Sequence, residues 1–187
     1  MAKDFSYKSI YSGFSLIELI VSLSILAILS SVAIPNLKDY IDKSHFHATK
    51  DLLRSSLSLA RETAIHSGHD TYICELIDKN QCNPNRPFNA NWSNGWIVFE
   101  DINGNGELDK SDEIYHIQHQ INDVGIIFNQ RGRLRFRANG SARSAGFYIC
   151  NSGQARHILV LYSGRIRTKP LNKKDKIEKC LKSITKT

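Results

Sequence analysis

The feature that most constrains this chain is an apolar stretch close to its N-terminus, residues 14–34. Its 21 residues include a single charged one, Glu18. As a helix the stretch would be about 31 Å long, which is roughly the hydrocarbon thickness of a bilayer. Lys3 and Lys8 precede it, and this placement predicts a cytoplasmic N-terminus. We therefore expect a single membrane crossing with the rest of the chain outside the cytoplasm.

Two simpler interpretations of this stretch are a cleaved secretory signal and a plain membrane anchor. Residues 31–33, Ser-Val-Ala, would serve as a signal-peptidase site, although the apolar region of a signal is normally shorter. An anchor accounts for the length, but a carboxylate inside an apolar segment is costly and usually functional. Neither interpretation accounts for Gly13, Glu18 and Pro35 together.

The segment SGFSLIELIVSLSILAILSSVAIP resembles the N-terminus of type IV pilins and type II secretion pseudopilins. This resemblance implies that a prepilin peptidase cuts after Gly13 and that the new N-terminal residue, Phe14, is methylated. It also implies that Glu18 pairs with the N-terminal amine of a neighbouring subunit, because opposite charges are tolerated in lipid only together. Residues 1–13 are then a removed leader, and residues 14–34 are a membrane anchor that becomes filament core.

Beyond the apolar stretch, the pattern predicts one helix followed by a β-rich head. Apolar residues recur at spacings of three, four and seven up to Gly68, so residues 35–68 form the amphipathic half of a helix that runs to about Ser67. Asn-, Gly- and Pro-rich turns then separate short strand-like segments over residues 69–170. The candidate strands are 71–77, 95–100, 113–120, 125–129, 133–138, 146–150 and 157–168. Residues 171–187 form a basic tail, and the fold class is α+β.

Several segments of the head, among them TYIC, NGWIVFEDINGNGELDKSDEI and FYICNSGQARHILVLYSGRIR, resemble the GspH/FimT group of minor pseudopilins and minor pilins. This implies a pilin-like fold, other pilin subunits as partners and no required cofactor. The four cysteines allow three pairings from sequence alone, and the family pattern implies Cys74–Cys82 and Cys150–Cys180. The expected location is the bacterial inner membrane with a periplasmic head, which becomes extracellular in an assembled pilus.

Charge is distributed unevenly along the chain. Residues 1–128 contain 10 Lys/Arg and 16 Asp/Glu, a net charge of −6, whereas residues 129–187 contain 15 and 2, a net charge of +13. A basic C-terminal third on an acidic front predicts an anionic partner.

Two arginine-rich segments localise this charge. In RGRLRFR, alternate residues are arginine, so on a strand all four side chains would share one face. The segment SGRIR repeats the alternation with Arg165 and Arg167, and it is similar to the glycine-arginine-x-arginine motif of FimT-type pilins that bind DNA in natural transformation. That similarity implies DNA contact by Arg165 and Arg167, supported by Lys169. The full candidate set is Arg131, Arg133, Arg135, Arg137, Arg165, Arg167 and Lys169. The alternative is a solvated, salt-bridged strand face.

The segment DINGNGELDKSD has the spacing of an EF-hand-like calcium loop. Asp101, Asn103, Asn105, Gly106, Asp109 and Asp112 fall at positions 1, 3, 5, 6, 9 and 12. Flanking helices are not predicted, and Asp112 stands where a bidentate glutamate is usual. The alternative is a hairpin turn, since Asn-Gly steps between strands are a strong turn signal.

The sequence contains no recognisable catalytic motif, which argues against an enzyme. Two functions remain open. One is a FimT-like minor pilin that binds DNA for uptake, and the other is a GspH-type pseudopilin of the type II protein secretion system with no role in DNA binding.

Overall fold

The computed structural model describes residues 13, 15–77, 80–83, 87–151, 153–171 and 180. It divides into two compact units, residues 1–41 and 42–187. The described residues form one helix and ten strands: α1 (Leu16–Ser67), β1 (Asp70–Ile77), β2 (Gln81–Cys82), β3 (Ala90–Asn91), β4 (Trp96–Asp101), β5 (Glu113–Gln118), β6 (Gly125–Phe128), β7 (Leu134–Phe136), β8 (Ala145–Cys150), β9 (Ala155–Val160) and β10 (Ile166–Pro170).

The strands form two five-stranded sheets in which all pairings are antiparallel. In the first sheet the order is β2-β1-β4-β5, and β7 also pairs with β1. In the second sheet the order is β10-β9-β8-β6-β3, so β10 lies at its end. This arrangement of a helix with an antiparallel β head confirms the predicted α+β class.

The main core lies between α1 and one face of each sheet. The helix contributes Leu53, Leu57 and Ala60, which recur at spacings of four and three and are fully buried. They pack with apolar residues of both sheets, including Trp96 and Phe147. Burying side chains of this size stabilises the fold by about 1.5–3 kcal/mol each relative to exposure. The apolar face of residues 42–67 is therefore the face that packs against the two sheets.

The opposite faces of the sheets carry two smaller clusters, and each contains a disulfide. Cys74 is bonded to Cys82 between β1 and β2, with 5.7 Å between the Cα atoms. Cys150 on β8 is bonded to Cys180, with a Cα separation of 5.9 Å. Cys180 is buried against residues of β6, β8 and β9. This is the pairing that the family resemblance implies.

A buried carboxylate fixes the end of α1 to the first sheet. Glu100 on β4 accepts a hydrogen bond from the Tyr115 hydroxyl (2.9 Å) and lies 2.6 Å from Nδ1 of His69. Burial alone would raise the pKa of Glu100, but the hydrogen bonds from His69, Tyr115 and Ser67 outweigh it and lower the pKa below its usual range. Ionised Glu100 therefore stabilises the folded head through His69 and Tyr115.

The head differs from prediction at three places. The segment predicted as one strand over 157–168 is a hairpin, because residues 161–165 form a turn between β9 and β10. The sequence pattern predicts neither β2 nor β3, since strands of two residues carry no periodic signal. β7 covers only Leu134–Phe136, so Arg131 and Arg133 precede the strand and Arg137 follows it.

Candidate functional site

The N-terminal segment presents its apolar side chains to the outside. Glu18 lies in the first turn of α1 and is exposed, as is Gly13, whereas Phe14 lies outside the described residues. The exposed apolar side chains of this segment are Leu16, Ile17, Leu19, Ile20, Val21, Leu23, Ile25, Leu26, Ile28, Leu29 and Ile34. A contiguous apolar surface of this extent marks a contact with a membrane or with another protein.

Among the residues whose side chains are described, no helix is long and apolar enough to cross a membrane. The single membrane crossing therefore stays a prediction.

The turn between β9 and β10 carries the second arginine segment. Arg165 is exposed in this turn, and Arg167 and Lys169 are exposed on β10. Ile166 between them is half-buried and packs against the main core. The alternation predicted for SGRIR is thus present, and it directs the three cations away from the core.

Two arginines of α1 lie beside this turn. Arg54, Arg61 and Arg165 line a pocket of ≈ 220 Å³ together with Ser58, Glu62 and Ile166. Arg165 is more than a hundred residues from Arg54 and Arg61 in the sequence. Among the residues that line the pocket, only Glu62 is acidic. The pocket is therefore a concentrated positive site, because three of its six lining residues are arginines. We call Arg54, Arg61, Arg165, Arg167 and Lys169 the basic cluster.

Arg61 also holds the turn in place. Its Nε donates to the carbonyl of Gly140 (3.2 Å), and its Nη2 lies 3.5 Å from the carbonyl of Ser163. Gly164 packs so closely that a Cβ on it would lie 1.9 Å from the carbonyl oxygen of Gly140. Two loops of the head are thereby closed onto the helix, so the position of Arg165 is fixed by tertiary contacts.

The arginines of RGRLRFR do not line this pocket and have local partners. Arg131 lies over the ring of Phe88 (5.0 Å), and Arg133 lies over the ring of Tyr72 (5.1 Å). Arg135 forms an ion pair with Asp70. Nη1 of Arg137 is 3.4 Å from the Ser141 hydroxyl. These four side chains thus form separate local contacts rather than one free row of charges.

Sequence reasoning did not place Arg54, Arg61 or Tyr162 in a site. The two arginines are seven residues apart, so they share one face of α1, but which loop they meet depends on tertiary folding. Tyr162 is 69% exposed at the β9–β10 turn. An exposed aromatic ring beside arginines can stack on a nucleic-acid base.

The loop between β4 and β5 is closed by its own side chains. Asp109 accepts hydrogen bonds from Asn103 (2.9 Å) and Asn105 (2.7 Å) and from the amide and hydroxyl groups of Ser111. These bonds hold the pKa of Asp109 well below its usual range, and the two from Ser111 have the largest effect. Asp112 accepts from the backbone amides of Ile102 and Asp109. In the described part of the chain, no three His, Cys, Asp or Glu side chains form a cluster that could hold a metal ion.

Two family models match the sequence. The model of the type II transport protein GspH covers residues 51–164, and the prokaryotic N-terminal methylation motif covers residues 8–34. The chain belongs to the GspH family. The family comprises structural subunits, so the chain is a minor pilin or pseudopilin of a type IV pilus or type II secretion system, and not an enzyme. Its motif is that of membrane-anchored pilins that are processed for assembly with other pilin subunits.

Solved structures of two minor pilin-like proteins share the fold of this GspH-family chain. The type IV minor pilin FimU of Pseudomonas aeruginosa is 18% identical, covers 70% of this chain and 92% of its own, and has a TM-score of 0.53. The minor pseudopilin EpsH of the Vibrio cholerae type II secretion system is 12% identical, covers 70% and 99%, and has a TM-score of 0.50. Comparison with curated protein sequences gives no significant match. One relative comes from each type of machine, so the fold does not distinguish between them.

Proposed function

We propose that this chain is a FimT-like minor pilin whose head binds DNA through the phosphate groups, for uptake in natural transformation. The observation that carries the proposal is the basic cluster, in which the β9–β10 turn and α1 bring Arg165 next to Arg54 and Arg61. The exposed members of this cluster, Arg54, Arg165, Arg167 and Lys169, could bind a phosphate backbone by releasing its counterions, which requires no reading of bases.

The distribution of charge supports this assignment. Arg165, Arg167 and Lys169 lie within five residues and are exposed, and no salt bridge of theirs is found in the described part of the chain. Residues 171–187, most of which lie outside the described residues, add 6 Lys against Asp175 and Glu178. We assign the arginines of RGRLRFR a supporting role, because their local partners reduce the charge that they offer to a ligand.

The test is a titration of labelled duplex DNA into the full-length chain in detergent micelles at several salt concentrations. The logarithm of the binding constant should fall with the logarithm of salt concentration, with a slope of about −0.9 for each phosphate contacted. Replacing Arg165 and Arg167 together by glutamine should weaken binding at least tenfold and make the slope shallower by about 1.8.

A matched control replaces Arg133 and Arg135 by glutamine. This pair carries the same charge at the same spacing but is held by Tyr72 and Asp70. We expect it to change affinity less than threefold. Equal losses of affinity in the two double variants would mean that binding depends only on net charge. If the unaltered chain does not bind DNA, the result favours the GspH-type pseudopilin of the type II protein secretion system.

We also propose that residues 1–13 are removed as a leader by prepilin peptidase, that Phe14 is methylated and that Glu18 is the assembly contact with the next subunit. In this proposal residues 14–34 cross the inner membrane once before assembly, with the N-terminus in the cytoplasm. Residues 35–68 form the second half of the helix, residues 69–170 the periplasmic head and residues 171–187 the basic tail. The exposed apolar side chains of residues 16–34 support this assignment, because a bilayer or a filament core would cover them.

A further inference from the structure

One carboxylate oxygen in the head is buried without a partner. Asp101, the last residue of β4, is only 3% exposed. Its Oδ2 accepts the backbone amide of Gly106 (2.9 Å), but its Oδ1 has no hydrogen-bond partner in the described part of the chain. A buried carboxylate oxygen normally binds a donor or a metal ion, because burying it alone is costly. Both oxygens belong to one carboxylate, so Oδ1 lies beside the Oδ2 that accepts the Gly106 amide in the middle of the loop.

Further oxygen atoms lie on the loop that Asp101 begins. The side-chain amide nitrogens of Asn103 and Asn105 both donate to Oδ2 of Asp109, at 2.9 and 2.7 Å, which fixes how the two amide groups are turned. The Asn103 amide oxygen accepts the backbone amide of Asn105, and the Asn105 amide oxygen accepts that of Glu107. Each of these oxygens has two lone pairs and uses one of them in its turn. The three side chains therefore lie together on the loop, and each Asn oxygen keeps one lone pair for a ligand.

The backbone of the loop has the form that such a set of ligands needs. Gly106 has φ +72, and a Cβ there would lie 3.1 Å from the Tyr72 hydroxyl. A glycine at the sixth position makes the sharp turn of a calcium loop, after which the seventh residue, here Glu107, supplies a carbonyl oxygen. Leu108 packs onto the cluster formed by Tyr72, Ile97 and Phe99, which ties the second half of the loop to the first sheet.

We infer that the loop Asp101–Asp112 is a calcium site. The ligands are Oδ1 of Asp101, the side-chain oxygens of Asn103, Asn105 and Asp109, and the carbonyl oxygen of Glu107, with water completing a shell of six to eight oxygens. Asp112 closes the loop through its two backbone hydrogen bonds.

The ligand set predicts a weak site. Two of its side chains are neutral amides, and no bidentate glutamate is present at the twelfth position, so the affinity should be that of extracellular modules, with Kd of about 10⁻⁴–10⁻³ M. Magnesium should bind less well, because it requires a small, near-ideal octahedral shell of oxygens, whereas a loop of this type suits the larger and less regular shell of calcium. A site of this strength is filled where calcium is millimolar, which is the case outside the cell.

The experiment is calorimetric titration of calcium chloride into the full-length chain in detergent, previously dialysed against a chelator. We expect one site per chain and a rise in the thermal unfolding midpoint with calcium but not with magnesium. Asp101→Asn should weaken binding at least tenfold, and Asn103→Ala, at an exposed loop position outside the core clusters, should weaken it severalfold. The matched control Asp123→Asn removes the same charge from an exposed turn outside the loop and should leave affinity unchanged.

Three results would overturn the inference. The first is neither heat nor a shift of the midpoint at 5 mM calcium, and the second is an unchanged affinity in both loop variants. The third is equal weakening by Asp123→Asn, which would indicate a diffuse effect of charge. If Asp101→Asn fails to fold, Asn103→Ala alone decides between these outcomes.

Discussion

At the scale of single residues, Gly164 is the position on which the basic cluster depends most. It has φ +74, and its Cα lies so close to the 138–140 turn that no side chain fits. A positive φ costs an L-residue about 1–2 kcal/mol, and a clash with backbone cannot be relieved by a rotamer change. The glycine before Arg165 is therefore required by packing, whatever the arginine binds.

We predict that Gly164→Ala destabilises the head by about 3 kcal/mol, as the sum of the positive φ and an overpacked contact of about 2 kcal/mol. The control is Gly68→Ala, which has φ +78 but open space around the added Cβ, and it should cost only about 1 kcal/mol. Urea unfolding followed by the fluorescence of the buried Trp92 and Trp96 measures both. Equal costs would show that the contact with Gly140 is absent in solution.

At the scale of elements, the two disulfides differ in what they connect. Cys74–Cys82 closes a segment with a sequence separation of 8 between adjacent strands, whereas Cys150–Cys180 has a separation of 30 and ties residue 180 back to the second sheet. The loop-entropy relation assigns about 2.5 kcal/mol to the first and about 3.5 kcal/mol to the second.

Replacing Cys150 and Cys180 by alanine should therefore lower the free energy of unfolding by about 1 kcal/mol more than replacing Cys74 and Cys82. The same urea titration checks the difference, and a reduced sample of the unaltered chain should lose about the sum of the two. A larger loss for the pair at Cys74 would mean that strand pairing at β2 contributes more than loop entropy does.

The elements also show which parts of the molecule the sequence could predict. The helix and most strands were predictable, because their apolar periodicity is local. The β9–β10 hairpin was predicted as one strand, since the turn at Tyr162–Gly164 interrupts an otherwise apolar and alternating run only briefly. The basic cluster was predictable on β10 but not on α1. The seven-residue spacing of Arg54 and Arg61 puts them on one face of the helix, yet only the folded chain brings that face to the β9–β10 turn.

At the scale of the whole molecule, the N-terminal segment and the head expose surfaces of opposite polarity. Residues 16–34 expose apolar side chains, and the head exposes charge. The methylation motif at residues 8–34 assigns the first of these to an anchor that is processed for assembly. The position of the cut decides whether the anchor stays on the chain.

We predict that the mature chain begins at Phe14 and carries one N-methyl group, which mass spectrometry of the protein from a host with prepilin peptidase would show. Gly13→Asp should leave the leader uncut, because the residue before the cut would no longer be small and neutral. The control Gly153→Asp introduces the same side chain where an added Cβ meets nothing within 4 Å, and it should be processed normally. A mature chain that starts after Ala33 would instead identify an ordinary signal peptide.

The place of β10 at the end of its sheet has a consequence for copies of this chain that meet one another. An edge strand offers unpaired backbone groups to any second strand, and natural sheets protect such edges with cations and proline. Here Arg167, Lys169 and Pro170 provide that protection. A bound polyanion, or substitution of Arg167 and Lys169, would remove the charge repulsion between two such edges. Two heads could then approach each other edge to edge. A loss of solubility on neutralising β10 is thus a property of the sheet and separate from any loss of DNA binding.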